Sequence, residues 1–443
     1  MNEPSLAAIQ ADARGGREQA AEASLRGFLS ALFPLAIRSV EVRRDTLSLN
    51  SVNGFVHLAE PDKNGVETLF FKFHHEENEE GLKEYYNSKL LEDNGYPVEM
   101  PLYASHEVGK QVLLYPFKQA ERMADACKRL DALSAPDSEM ERVFKAQEAL
   151  DALVLERYLA TLHEAPLEKL GEEPILQLFH HRLVDDKDDP KAALGGRYSQ
   201  FYAKKILELP GNSIVAYDDL ARQKWHINGV TYDDSLDAAF ARALKLLAPA
   251  AHRWRGDAYP AVAAHGDAHN GNVWFNEGSP PHLSLFDPAF AGPHIPALLA
   301  EIKPTFHNIF AHPLWLYDAA EADAKLDIRF SAQHGYVEVE HNWTLSPLRR
   351  RFLAIKRDRL WKPLIAALKA KNLLPRNWQD YMRSALFCCP TLVMNLRANA
   401  GNASNSHTPK TSLLGFSVAM MLAAAPIDGH DELSDFFREL ERA

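Results

Sequence analysis

A chain of 443 residues with 46% hydrophobic side chains can bury a substantial core, either as one two-lobed domain or as two or three smaller ones. Its 49 Lys and Arg against 60 Asp and Glu give a formal net charge of −11, opposite in sign to the footprint of a nucleic-acid binder; this excludes nucleic acid as the expected partner and favours a small molecule, with a lean toward a cationic one. Three cysteines cannot build a disulfide framework, the N-terminus lacks a signal-like pattern, and no apolar run is long enough for a bilayer; the expectation is a reducing, cytoplasmic setting without a membrane partner.

In chain order, Ser24 to Ile37 (SLRGFLSALFPLAI) reads as a short amphipathic helix. The texture then turns β-rich, with two turn signals, SVNG and PDKNG, separating three runs as in an antiparallel meander. In the third run, ETLFFKF, strand alternation puts Thr68, Phe70 and Lys72 on one face and Leu69, Phe71 and Phe73 on the other. An ammonium buried in so apolar a run needs an anion, because an unpaired buried charge is costly. The following segment, EEGLKEYYNSKLLEDNGYPVEMP, predicts a helix with Leu82, Tyr86, the Lys89 stem and Leu90 near one side, closed at Asn94-Gly95. QVLLYPF predicts another buried strand, ending at Pro116.

Helical stretches dominate between about Ala120 and Ser235, broken by charged, loop-like pieces such as LVDDKDDPKAALGG. The β texture returns from Ala261 to Asp287, where NEGSPPH is the turn between NVWF and LSLF, and the remainder reads as helical. No period of 20 to 50 residues marks a repeat architecture. The expected fold class is α+β: an N-terminal helical extension at 1–37, a small antiparallel β-rich N-lobe with one helix at 38–116, and a larger, mainly helical C-lobe with insertions at 117–443.

Chemistry concentrates in AHGDAHNGNVWF, residues 264–275. Taken as a loop running into a hairpin, it sets Asp267 in the loop, Asn272 at the start of one strand and Asp287 at the end of the returning one. Oxygen-bearing side chains of this kind suit Mg²⁺, which keeps waters and substrate phosphates among its ligands. Phosphoryl transfer uses that set: one Asp orients the acceptor hydroxyl, while an Asn and another Asp hold metal against the phosphates.

HGDAHNGN followed by FDPAFAG resembles the H-G-D-x-H-x-x-N and D-x-x-x-x-G elements of the aminoglycoside phosphotransferase and choline kinase branch of the protein-kinase-like fold. The resemblance, which covers roughly Asp45 to Gly292, implies a two-lobed kinase-like architecture and an enzyme transferring the γ-phosphoryl group of ATP, with Mg²⁺, to an alcohol such as an aminoglycoside, amino alcohol or sugar. It makes Asp267 the catalytic aspartate and Asn272 and Asp287 the metal ligands, with His265 and His269 in structural positions. Lys72 becomes the phosphate-binding lysine, paired with Glu84 or, one helical turn away, Glu80. LLYPF becomes the hinge, with the Tyr115 carbonyl and Phe117 N–H facing the adenine edge; Pro116 has no N–H to offer. Val56 and Phe70 would roof the base, Trp274 would lie beneath it, and Phe286 would sit beside the metal-binding aspartate. The NSVNGF turn, with its single Gly54, would cover the phosphates. The sequence departs from the family at Asn270, where proline is usual, at Pro288, where an aromatic residue is common, and at Ala297, where an aspartate often supports the catalytic loop, with Glu301 further on.

Two other readings use the same residues. His265, Asp267 and His269 alternate as an H-x-D-x-H set for a zinc-dependent hydrolase. A nucleotide-binding protein without catalysis is the other. The residues say nothing of oligomeric state.

Overall fold

The computed structural model describes residues 5–43, 52–73, 80–107, 109–132, 138–189, 191–254, 256–333, 335–400 and 406–442. The chain divides into two units, one of Met1–Asp93, Pro97–Ala120 and Leu285–Ala289, the other of Asn94–Tyr96, Glu121–Ser284 and Phe290–Ala443. The architecture is α+β, with a five-stranded sheet in the first unit and a mainly helical second unit.

In the first unit, α1 (Leu6–Arg14) and α2 (Glu18–Leu32) precede β1 (Ile37–Arg43), β2 (Val52–Leu58), β3 (Thr68–Phe73), α3 (Glu80–Asp93), β4 (Tyr103–Ala104) and β5 (Leu113–Pro116). The sheet order is β1-β2-β3-β5-β4, antiparallel throughout. Strand alternation gives it two unlike faces. Val40, Val52, Val56, Leu58, Leu69, Phe71, Phe73, Val112 and Leu114 form one, and they share a core with Leu6, Ile9, Leu25, Phe28 and Leu29. Ala21, Leu25, Phe28 and Leu29 recur at helical spacing on α2, which is why that helix lies on the sheet.

The expected extension at 1–37 therefore shares its core with the sheet at 38–116. The helix expected from Ser24 begins earlier and stops at Leu32, because Pro34 disfavours helical backbone at the residue before it. α1 was not foreseen; its first turn is capped by Ser5, whose side chain accepts from the Ala8 N–H. The turn predicted at SVNG is also displaced, since Val52 to Gly54 belong to β2 and the connection before it lies outside the described residues. Gly54 pairs with Val42 and Phe71. A Cβ there would lie 1.9 Å from the Glu41 carbonyl oxygen and 2.7 Å from the Phe71 ring, so close strand approach explains this glycine.

α3 spans Glu80–Asp93 as expected, but with a different inner face. Tyr86 is 56% exposed, while Ser88 and Leu91 are buried and Glu84 and Asn87 half-buried. These four occupy i, i+3, i+4 and i+7, so α3 turns a mostly polar stripe inward.

The second unit is built on a helix at Ser138–Thr161 and long helices at Leu236–Leu247, Trp378–Val393 and Pro409–Ala423, the last two almost entirely buried. Two small sheets frame the polar loop at 265–272. One has the strand Ala258–Ala264 between His163–Pro166 and Gly292–Pro296; the other joins Val273–Asn276 to His282–Leu285 and Glu121–Arg122. The unit is less uniformly helical than expected. Lys224–Ile227 and Val230–Tyr232 form a four-stranded sheet with Ile328–Gln333 and Tyr336–His341, and Ile206–Leu209 pairs with Ser213–Ala216. Among the described residues no helix is long and apolar enough to cross a membrane.

Candidate active site

The first constellation lies on the face of the sheet opposite α1 and α2. Lys72 projects from β3, and its Nζ is 2.8 Å from Glu84 Oε2 and 2.7 Å from Asp287 Oδ1. Of the two glutamates offered by the sequence, Glu84 makes this pair; the side chain of Glu80 lies outside the described residues. Burial opposes the charge on Lys72, but Glu84 and then Asp287 more than offset it and hold the ammonium well above its ordinary pKa. Lys72 and Glu84 are 15% and 11% exposed, whereas Asp287 is 40% exposed and presents its carboxylate to solvent.

Several groups fix this cluster. The Tyr115 hydroxyl donates to Glu84 Oε1 at 2.8 Å, and burial followed by the Glu84 charge raises its pKa well above the usual phenol value, so it remains a donor. Asn87 Nδ2 donates to the Pro288 carbonyl at 2.8 Å. Leu285 is clamped on both backbone sides, its N–H donating to Pro97 O at 2.7 Å and its carbonyl accepting from Glu99 N–H at 2.8 Å. Asp287 has a φ of 54°, in the left-handed region that non-glycine residues seldom occupy, and these bonds hold it there.

Other residues chosen from the sequence fall differently. Phe70 shares the face of Lys72, but Val56 does not: it pairs with Leu69 and is fully buried against the opposite core. Starting β2 at Val52 sets the alternation so that Phe55 shares the Lys72 face instead. Phe55 packs against Phe70 at 6.1 Å and Phe117 at 5.1 Å between ring centroids, making an aromatic surface on that side. Gly54 sits within the ladder, so it is not a residue of a phosphate-covering turn.

The expected hinge geometry is also corrected. Phe117 N–H donates to Thr68 O at 3.1 Å, which takes up the donor assigned to adenine. The antiparallel alternation turns the Tyr115 carbonyl toward β3 as well, opposite Phe70. Pro116, one residue on, directs its carbonyl to the other edge of the strand. Phe286 is half-buried next to Asp287.

The second constellation is the loop at 265–272. Gly266 has φ +77°, and a Cβ there would lie 2.4 Å from the Phe290 carbonyl oxygen, so the turn before Asp267 requires glycine on both counts. Asp267 is 9% exposed, and its Oδ1 is shut off from solvent without a hydrogen-bond partner among the described residues. Its main chain is firmly held: the N–H donates to His265 Nδ1 at 3.3 Å, and its carbonyl accepts from His269 N–H at 2.8 Å and Asn272 Nδ2 at 3.0 Å. His269 Nδ1 accepts from Gly271 N–H at 3.1 Å. Both histidines thus brace the loop through Nδ1. Among the described residues no three His, Cys, Asp or Glu side chains form a metal-holding group, which leaves the zinc-hydrolase reading without a ligand set.

The bond from Asn272 Nδ2 fixes its amide so that the oxygen is the end able to ligate. An amide oxygen at Asn272 and a carboxylate at Asp287 are hard donors of the type Mg²⁺ takes, so these residues fit that ion. Trp274, on Val273–Asn276, is half-buried and pairs with Arg122.

Sequence reasoning missed the groups behind the loop. Lys303 is 4% exposed; its Nζ is 3.6 Å from Asp267 Oδ1 and donates to His307 Nε2 at 2.7 Å. His307, on a π-helical turn at Phe306–Phe310, also bonds through Nδ1 to the Tyr317 hydroxyl. Burial, then the charge on Lys303, holds His307 well below its ordinary pKa, and the neutral ring can accept from the ammonium. Asn308 on the same turn accepts from Asn270 N–H at 2.7 Å, and Arg349 Nη1 donates to the Asn308 carbonyl at 2.6 Å. Proline at 270 could not make the first bond, which gives this departure from the family pattern a structural reason. Glu301 is engaged elsewhere, accepting from Tyr158 at 2.6 Å and Lys356 at 2.8 Å.

No family model and no curated protein matches the chain. It is similar to solved structures of a macrolide 2′-phosphotransferase type I (11% identity, 89% of this chain and 99% of that one, TM-score 0.33) and an ethanolamine kinase of Plasmodium vivax (7% identity, 91% and 81%, TM-score 0.31). A maize sucrose-induced receptor kinase domain bound to AMP-PNP is a third (10% identity, 87% and 93%, TM-score 0.22). What the site can do rests on its own residues.

Proposed function

We propose that the chain is an ATP-dependent phosphotransferase that moves the γ-phosphoryl group of ATP to a hydroxyl of a small molecule. The observation that carries this reading is the meeting of Lys72 and Glu84, on consecutive elements, with the distant Asp287, at 2.8 and 2.7 Å. Lys72, kept charged by Glu84, is suited to steady the nucleotide phosphates. Asp287 and Asn272 are the residues that would hold Mg²⁺, which when bound neutralises phosphate charge. The aromatic surface of Phe55, Phe70 and Phe117 is suited to the base, and the Pro116 carbonyl to its amino edge.

Asp267 is suited to orient the acceptor and take its proton, because Oδ1 is buried and accepts no hydrogen bond among the described residues. In the transfer, the acceptor oxygen forms a bond to the γ-phosphorus while the bond from that phosphorus to the β,γ-bridging oxygen breaks. ADP leaves with the electron pair, and the hydroxyl proton passes to Asp267 and then to water. The protein's share is placement and charge neutralisation. A reducing, cytoplasmic setting accords with three cysteines that are all buried as free thiols.

The experiment is an ADP-release screen with ATP and Mg²⁺ across aminoglycosides, amino alcohols, sugars, hydroxy acids and nucleosides, with Asp267→Ala as the blank. Acceptor-dependent ADP release in the native chain alone is expected. Release that is the same in Asp267→Ala would contradict the reading.

A further inference from the structure

The net charge of the whole chain is −11, yet within the second unit two cations lie near Asp267. Lys303 Nζ stands 3.6 Å from its Oδ1. Arg182 follows on a short helix at His180–Leu183, and its guanidinium lies within the electrostatic reach of Asp267, Arg197, Cys388 and Cys389. Arg197 is committed to structure, with Nη1 donating to the carbonyls of Leu392 at 2.7 Å and Val393 at 3.1 Å. Arg182 is not so committed: its Nη1 is shut off from solvent and has no hydrogen-bond partner among the described residues.

Lys303 and Arg182 thus both act on the one carboxylate of Asp267. Burial holds the neighbouring His307 and His312 well below their ordinary pKa, so these two rings add no charge at neutral pH. Burial, with Arg197 beside it, also lowers the Arg182 pKa to about 10, still charged at neutral pH. A guanidinium N–H removed from water and left unmade costs more than a neutral donor would. Arg182 Nη1 and Asp267 Oδ1 are each buried without a hydrogen bond among the described residues, and the two side chains lie within electrostatic reach of each other. A ligand with a hydroxyl for the second and an anionic oxygen for the first satisfies both.

We propose that the alcohol phosphorylated by this chain carries an anionic group, a carboxylate or a phosphate, which Arg182 grips while Lys303 adds its charge beside Asp267. The proposal rests on the phosphotransferase reading above and reverses the cationic lean drawn from net charge, because a local surplus at short range outweighs a diffuse opposite field. A cationic acceptor would bring like charge against Arg182 and leave its donor unmade.

The test uses the full chain with ATP and Mg²⁺. ADP release is measured with glycerate and with glycerol 3-phosphate, against ethanolamine, choline and kanamycin as cationic acceptors and glucose as a neutral one. Turnover is expected in an anionic arm, and the two probes distinguish carboxylate from phosphate. Arg182→Met should raise the acceptor KM at least about tenfold, the loss of one charge-assisted bond, with the ATP KM unchanged. If that variant does not fold, Arg182→Lys, which keeps the charge and loses the fork, should give a smaller rise in the same constant. Turnover confined to cationic or neutral alcohols, an unmoved acceptor KM, or a rise in the ATP KM alone overturns the proposal. Calorimetric titration of ATP into the same protein separates the two levels: a chain that binds ATP but ignores anionic alcohols loses only this inference, and one that binds no ATP loses both.

Discussion

Lys72 and Asp287 stand 215 positions apart in the chain, and their side chains meet with Nζ 2.7 Å from Oδ1. Glu84 approaches the same ammonium at 2.8 Å, so Lys72 is shared between a buried carboxylate that aligns it and a more exposed one. Lys72→Met should therefore lower kcat/KM for ATP about a hundredfold or more, as expected when a charge that stabilises transferring phosphate is removed. Glu84→Gln keeps the shape and the Tyr115 bond, so its loss should be smaller and fall mainly on kcat. Steady-state kinetics at varied ATP check both, and equal losses would show that Glu84 does more than align Lys72.

Phe55 and Val56 are chain neighbours on opposite faces of β2, and they separate binding from stability. Phe55→Ala should weaken ATP binding with little change in melting temperature, because its ring sits on the half-buried aromatic face. Val56→Ala should leave ATP affinity unchanged and cost about 2 kcal/mol of stability, since Val56 is 0% exposed in the core under α1 and α2. Calorimetric ATP titration and urea unfolding of the two variants check the pair.

Asn270 offers a test of how the loop is held. Asn270→Pro deletes the N–H that Asn308 Oδ1 accepts at 2.7 Å and leaves a buried acceptor unmade, at about 1–3 kcal/mol. Asn270→Ala keeps that N–H. Turnover should fall steeply in the proline variant and stay near native in the alanine one, with ATP affinity unaffected in either; similar turnover in both would place the effect in the side chain instead.

Acid should destabilise the protein through its buried histidines. Burial lowers the pKa values of His252, His341 and His407 to about 4 from an ordinary 6.5. Between pH 6.5 and 4 the unfolded chain binds more protons than the folded one, so stability is whole above 6.5 and declines as pH falls through that window, each histidine contributing on the order of 1–3 kcal/mol. Glu173, raised to about 7 by burial, acts in the opposite sense between 4.5 and 7, as do Asp151 and Asp237, also raised by burial, while His180, lowered to about 4 by burial, adds to the histidine side. Urea midpoints at pH 7.5 and 5 check this, with the lower midpoint expected at pH 5; an equal or higher one would contradict it.

Much of the site could be read from the chain because the chemistry needs particular residue types in local patterns. The position of Lys72 in an apolar strand required a carboxylate, and the motif loop offered Asp267 and Asn272 together. Strand alternation was also legible, but its phase on β2 was not: SVNG has turn chemistry, while Gly54 is set by the approach of the Glu41 carbonyl, a contact between strands. The observed phase puts Val56, which the resemblance offered for the base, in the core and Phe55 on the Lys72 face. The inward polar stripe of α3 escaped notice because helical periodicity is usually sought in apolar residues. Lys303 and Arg182 come near Asp267, and Asn308 bonds Asn270, only through tertiary packing, and no short-range pattern announces them. The same holds for Lys224–Ile227, whose partner Tyr336–His341 is more than a hundred residues away, although the alternation of Val337 and Val339 with Glu338 and Glu340 was present to be seen.

The central claim is that Asp267 serves the acceptor and Asp287 the metal-bound nucleotide. Calorimetric titration of ATP with and without Mg²⁺ into Asp267→Ala and Asp287→Ala, alongside the native chain, tests it most directly. The account predicts Mg²⁺-dependent ATP binding close to native in Asp267→Ala, despite turnover lower by several powers of ten, and loss of the Mg²⁺-dependent part in Asp287→Ala. Indistinguishable titrations from the two variants would contradict it.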